Sequence, residues 1–594
     1  MATQLLVAQE KSTQRFIAKD KAAFIVTLSP YKTYSKLDEA TTNKYNVSEM
    51  LAPMLLGIAG GDKSEENIKK VEQDLSDTKK VGLNTKQDIY IWAQRPDKMN
   101  EDDPEALFIN LVVPVTDGTK FRSFLDQLFG ADKIKSMIPK GDALNMVHNG
   151  MLLNWNKERL IITTSTSKKS FFEERAEYEA RQSEMYLEHA IALGAVTASN
   201  SIEKDVAYQN QIKKEADFSF WMDYSNVMPP LTQMPMQTRE LMASLYELVG
   251  GLQLSGHGYA KKGEGLFSMS MYANEPMTRV FNEAYTLRVN KDFFKYVDNT
   301  NLIGMYSMAM SPKGFVDSYG SEVYKALKKT KEGTLVTNML DIMDIFIDEE
   351  EIYTLLKGDM LFALTDIKMM DRKSSDFEYN DESDQWEEIT TTKKEPMPMA
   401  VMMFSYGSEE NIMKFIDLGA NAGVLSKRAD GVWAIGGVKE EIGVDAFIIV
   451  KDGVLMFTND EEITKNLSGL PKNKQIPAKD LKDISSYIQY GFLDADKMIT
   501  TAKRTMKEMG QNFPKELAIV EENLSKFEVK TFAPEGNRIK TDMHLFFKDK
   551  EVNALQTMVD AMVEIIEQKK GNNKEEPIYD DQEIEEDEDG VKKL

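Results

Sequence analysis

The chain has no cysteine and only four histidines in 594 residues. The first absence removes disulfides, thiol nucleophiles, lipidation on cysteine, and Cys-ligated zinc or iron–sulfur sites. It also points mildly to a compartment where a stray thiol is a liability. His148, His189, His257 and His544 form no His-Glu-x-x-His motif and no close pair, so histidine catalysis and metal binding have nothing to stand on. His544 falls on the outward phase of its strand and His257 in a hairpin, and both read as surface residues. No apolar run approaches the ~20 residues of a spanning helix. Basic residues number 73 against 97 acidic ones, and the net charge of −24 disfavours nucleic acid as a partner.

Other signatures fail in detail. "GIAGGDKS" (57–64) puts Asp62 where a phosphate loop needs glycine. Ser-x-x-Lys occurs at Ser29/Lys32, Ser76/Lys79 and Ser165/Lys168 without the companion motifs of acyl-enzymes. Asp and Glu are too abundant to single out a carboxylate pair for glycoside hydrolysis. No cofactor, metal or catalytic residue is expected.

What is present is a hydrophobic content of 42%, ample for real cores, and 36 methionines. The methionines concentrate in "VMPPLTQMPMQTRELM" (227–242), where Met228, Met234, Met236 and Met242 form a candidate partner-binding cluster, since flexible thioethers adapt to varied apolar surfaces. The competing reading is that methionine fills cores throughout. At the N-terminus, Leu5-Leu6-Val7-Ala8 before Gln9 resembles the end of a secretory signal without its basic start. Residues 1–20 are therefore either a loose cytosolic start or the remnant of a signal whose beginning lies upstream, and the second is preferred.

The chain repeats itself. "VTLSPYKTY" (26–34) returns as "MAMSPKGFV" (308–316), and "KQDIYIWAQ" (86–94) as "KGDMLFALT" (357–365). Four further segments follow in the same order. They are 108–128 with 400–419, which aligns Phe124 with Phe415 and Asp126 with Asp417, then 156–165 with 451–460, 218–228 with 488–498, and 252–285 with 527–560. The order implies a tandem duplication of a unit of roughly 270 residues, first repeat 21–292 and second 293–567. The Ser-Pro echo is a helix start: serine accepts from unpaired amides and proline fits the first helical position. Ser29, Ser311, Asp223 and Asp494 are the expected caps. Two-residue alternation in "LFSMSMY" (266–272) and helical periodicity in 553–566 give an α+β fold, mainly antiparallel sheets with helices packed on one face.

Three segments break the symmetry. Residues 168–215 read as a charged helical insertion in the first repeat, and 371–397 as an acidic loop or extended hairpin in the second. Residues 568–594 read as a disordered tail, whose last 22 residues hold ten acids and three lysines.

The strand–Ser-Pro–helix starts, the capped helix at "FLDADKM" (492–498) and the final hairpin-plus-helix resemble the large uncharacterised cell-envelope proteins of the Bacteroidota, known only as a domain of unknown function. That resemblance implies export and contributes no catalytic residues; the absence of cysteine speaks against a lipid anchor. The expected function is a non-enzymatic exported envelope protein, periplasmic or envelope-located, acting as a binding, scaffold or chaperone-like component with protein partners. The alternatives are a carboxylate-dependent hydrolase with a cleft between the repeats, and a cytosolic acidic binding protein.

Overall fold

The computed structural model describes residues 12–38, 41–42, 52–53, 55–57, 59–60, 64–84, 86–96, 106–140, 142–170, 173–213, 215–228, 231, 236–329, 333–339, 353, 355–380 and 385–572. The segment 1–11, Met234 and the tail from 573 lie outside them.

Ten strands form from the first part of the chain: β1 Ala22–Leu28, β2 Ile89–Gln94, β3 Phe108–Pro114, β4 Ile138–Lys140, β5 Ala143–His148, β6 Met151–Trp155, β7 Arg159–Ser165, β8 Phe218–Asp223, β9 Gln253–Lys261 and β10 Glu264–Tyr272. Ten more follow: β11 Gly304–Ala309, β12 Asp359–Asn380, β13 Gln385–Ser405, β14 Leu425–Ala429, β15 Val432–Ile435, β16 Phe447–Lys451, β17 Val454–Thr458, β18 Gln489–Asp494, β19 Leu524–Thr531 and β20 Arg538–Phe547. The helices that matter below are α1 Gly118–Phe129, α2 Arg175–Gly194, α3 Glu275–Ala284, α4 Glu409–Asn421, α5 Ala495–Glu508 and α6 Ala554–Asn572.

All twenty strands belong to one sheet, and every pairing among them is antiparallel. From one edge the order is β4-β5-β6-β7-β3-β2-β1-β8-β9-β10. It continues β20-β19-β18-β11-β12-β13-β17-β16-β15-β14. Counted outward from the central β10–β20 pair, each strand of the second set bears a number ten higher than its counterpart. The antiparallel pairing is as expected, but the sheets are one, since Glu264↔Phe546 through Tyr272↔Arg538 join the two sets into one ladder.

Helices on one face were also expected, and here the structure differs. On one face, α2 lays Tyr186, Ala190 and Leu193 over Ile25, Trp92, Phe108 and Trp221. Phe293, Phe294 and Ile484 cover Leu361, Val401, Met403 and Met456 on the same face further along. The opposite face receives α1 at the β6–β7 end, where Phe121, Phe124 and Leu125 meet Leu153, Trp155 and Leu160. There α4 does the same with Ile412 and Ile416 against Trp433, Val450 and Leu455. A sheet of this width cannot bury both faces with one helical layer, so each set packs helices on either side.

The insertion is helical in α2, in Ile202–Lys204 and in Val206–Gln211. Of the two readings of 371–397, the described residues 371–380 and 385–397 form the extended hairpin, with β12 and β13 paired from Met360↔Phe404 out to Asn380↔Gln385. From Asp366 outward this is a two-stranded ribbon of about 50 Å at ~3.4 Å per residue.

Ser311 caps as expected, Oγ accepting from Gly314 N at 3.0 Å. Asp223 accepts from Ser225 N at 2.8 Å and Asp494 from Lys497 N at 3.0 Å. Ser29 does not cap. It occupies the N-cap position with Pro30 after it, but its hydroxyl is turned to Asp88 Oδ1, to which it donates at 2.6 Å, and it takes no bond from a helix amide.

Candidate binding face

Alternation along each strand divides its side chains between the two faces, and register aligns those faces across the sheet. The face opposite Trp92 and Leu361 carries a row that begins Ile89, Leu28, Phe218, Gly258 and Phe267 on β2, β1, β8, β9 and β10. It crosses the centre to Met543, Val529, Gly491 and Tyr306. It ends with Phe362, Met402, Phe457, Ile448 and Trp433. Fourteen strands contribute one residue each, and all are glycine or apolar but for the Tyr306 hydroxyl. The adjacent row on this face runs from Ile91 and Val26 through Phe220, Gly256 and Met269. It then passes Thr541, Thr531 and Gln489 to Met308, Met360 and Phe404. Neither row holds a charge.

Most of these side chains are half-buried, whereas Trp433, under α4, and Thr531 are sealed. Leu28, Phe218, Phe362, Met402 and Phe457 are 37–40% exposed. They form two contiguous groups, since Leu28 pairs with Phe218 and Phe362 with Met402, which pairs in turn with Phe457. The rings lie flat. A Cβ at Gly258 would overlap Phe218, and one at Gly256 would overlap Phe220, while Phe267 stacks on both rings at 5.7 and 6.0 Å. Glycine in a central strand normally weakens it, but here it lets neighbouring aromatics pave the sheet. Helices border the face: α3 brings Phe281 and Met277 to Met271 and Ile539, and α6 brings Leu555 and Met558 to Leu545 and Ala260. Fourteen strands in the first row and eleven in the second cover a sheet footprint of roughly 800 Å², at ~4.8 Å between strands and ~6.8 Å between same-face residues, of which a part is open.

On the core face, by contrast, the central strands are polar. His257, Ser268, Asp542, Lys530 and Tyr490 are consecutive cross-strand neighbours. His257 is only 5% exposed, accepts from Lys213 N at 3.1 Å, and is held below its ordinary pKa by burial and then by Lys213. His544 lies within 2.6 Å of Glu264 across the central pair. Neither is the surface residue expected, because both side chains lie on the core face, with Ser268 and Asp542. Glu528 sits in this group too. Burial pushes its pKa up, but bonds from Lys530 and Tyr490 outweigh it and the net direction is down.

His189 is wholly buried, stacks on Phe108 at 4.1 Å and donates to Asn110 Oδ1 at 2.7 Å, and burial pushes its pKa down to about 3. It is a neutral packing residue. Burial likewise lowers Arg159 to about 10, and its guanidinium lies 4.3 Å from the Phe16 ring.

A cavity of about 480 Å³ lies at the base of the β12–β13 ribbon, lined by Asp298, Thr365, Asp460, Lys474, Lys497 and Arg504 among others. Its charges answer one another. Lys474 pairs with Asp298 at 3.1 Å, Lys497 donates to the carbonyls of Asn299 and Leu302, and Arg504 pairs with Asp366. Among the described residues no group of three His, Asp or Glu could hold a metal ion, and no helix is long and apolar enough to cross a membrane.

Of the methionine cluster, Met228 and Met242 are half-buried and Met236 opens the helix Met236–Val249. The methionines of the two rows are others: Met269, Met308, Met360, Met402 and Met543. The signal that could have found them is the alternation of "LFSMSMY", in which Phe267, Met269 and Met271 share one face.

The fold and face define an α+β protein built on one broad antiparallel sheet with an apolar, partly open side. The chain belongs to the family described as "Domain of unknown function (DUF4836)", whose model matches residues 55–555. Comparison with curated proteins gives no match. The solved "Structure of crystal form III of TP0453" is 9% identical, covering 46% of this chain and 87% of that one, with a TM-score of 0.22. The "Structure of crystal form IV of TP0453" gives 11%, 45%, 81% and 0.21. Likeness at that level supports no statement about ligand or activity.

Proposed function

We propose that this chain is an exported, non-enzymatic cell-envelope protein of the Bacteroidota type that acts by binding, with the second face of its sheet as the binding surface. The observation that carries this is the uncharged cross-strand row from Ile89 to Trp433, five of whose members stay more than a third exposed. We further read the two sets of strands as products of a tandem duplication, 21–292 and 293–567. The strand order repeated at an offset of ten and the six sequence echoes support that reading. Joining two such units edge to edge turns two apolar faces into one continuous one.

The test is site-specific photo-crosslinking in the native cells, followed by fractionation. A photoreactive residue at Phe362 is compared with one at Phe415, which is 59% exposed on α4 and off the row. Adducts from position 362 in the envelope fraction, well above those from 415, are expected. No preference for 362, or a cytosolic protein, would overturn the proposal.

A further inference from the structure

We infer that the ligand of this face is a membrane lipid with more than one acyl chain, held by its hydrocarbon; the inference rests on the binding-surface reading above. The face gives a ligand almost nothing to hydrogen-bond. Every strand from β2 across to β17 is paired on both sides, so its backbone groups are occupied. The three polar side chains of the second row serve one another, with Thr531 Oγ1 3.1 Å from both Thr541 Oγ1 and Gln489 Oε1.

A protein partner on such an area makes about one hydrogen bond per 100–200 Å². Here its polar groups would lose water without replacement. Hydrocarbon carries no such cost and gains from leaving water. Charge points the same way, since rows without a charged residue complement the uncharged part of a lipid and exclude its headgroup to the rim. Methionine and flat phenylalanine suit chains of irregular shape, because a thioether repacks cheaply around each.

Size sets the number of chains. Twelve strands at ~4.8 Å spacing span roughly 50 Å. One acyl chain fills one leaflet, about half of the ~30 Å bilayer core. The row therefore seats about three chains end to end, more than a single fatty acid supplies.

The full-length protein, purified without detergent and stripped of lipid, is incubated with vesicles of dioleoylphosphatidylcholine, re-isolated by gel filtration and assayed for lipid phosphorus; a parallel arm uses sodium oleate. At least one phospholipid per chain is expected, falling ten-fold or more in Phe362→Glu and in Leu28→Glu, one from each set of strands, and unchanged in Phe415→Glu. All three positions are at least 37% exposed, so the variants should fold, which their thermal unfolding confirms or denies. Uptake of oleate without phospholipid overturns the multi-chain ligand. Uptake of neither, as when the chain's own segments close the face, overturns the inference. In that case a protein adduct from position 362 leaves the binding-surface reading standing, and no adduct removes both.

Discussion

Acidification should destabilise the protein through His189 in a calculable way. Its ring is enclosed, donates to Asn110 and stacks on Phe108, so protonation would leave a buried charge without a carboxylate beside it. The folded pKa is about 3 against 6.5 for the free side chain. A group depressed on folding contributes stability above its unfolded value and loses it as pH falls towards the folded one. From pH 7 to pH 5 the unfolded chain takes up the proton and the folded chain does not, a difference of about 1.4 pH-equivalents or about 2 kcal/mol. Urea unfolding of wild type and His189→Gln at both pH values isolates the effect, since glutamine keeps a donor for Asn110 and does not titrate. Wild type should lose about 2 kcal/mol more than the variant over this interval. An equal loss in both would refute the argument and mean that the ring reaches water or a counter-charge in the folded state.

Three further outcomes follow from local geometry. Gly258→Ala should cost about 1–3 kcal/mol by lifting the Phe218 ring, and most of that cost should vanish in a Phe218→Ala background, measured as a double-mutant cycle. Ser311→Ala should lose about 1 kcal/mol of stability, largely restored by Ser311→Asp, whereas Ser29→Asp should restore nothing because it would face Asp88. Of the five tryptophans only Trp386, on the β12–β13 ribbon, is exposed, at 67% against 8% or less for the others. Acrylamide should quench a red-shifted component that disappears in Trp386→Phe.

Much of this architecture is legible in the sequence because its signals are local. Ser311-Pro312 and Asp494 announce helix starts through chemistry confined to four residues. "LFSMSMY" announces a strand and even its apolar phase. What cannot be read is which strands are neighbours: Phe267 meets Met543 across 276 positions, and only that register joins the apolar phases of many strands into one row. Ser29 misleads because the residue that claims its hydroxyl, Asp88, is far away in the chain. His257 misleads because a hairpin is assumed to be an edge, and His544 because its phase along the strand is taken as outward, whereas both side chains lie on the core face. Phe124 and Phe415 occupy matching places in the echo, yet the first is 6% exposed and the second 59%, since Phe124 shares a buried cluster with Ala52, Leu56 and Val71 that has no described equivalent around Phe415.

The lack of cysteine makes the central claim directly measurable, because any introduced thiol is unique. Single cysteines at Met402 and Phe457 on the row, and at neighbouring Met403 and Met456 on the core face, differ in position by one residue and in exposure from 38–39% to 0%. Maleimide labelling of the folded full-length protein should alternate with that period, the first pair reacting at least 100-fold faster than the second. Equal protection at all four positions would mean that the second face is closed, and would contradict the account.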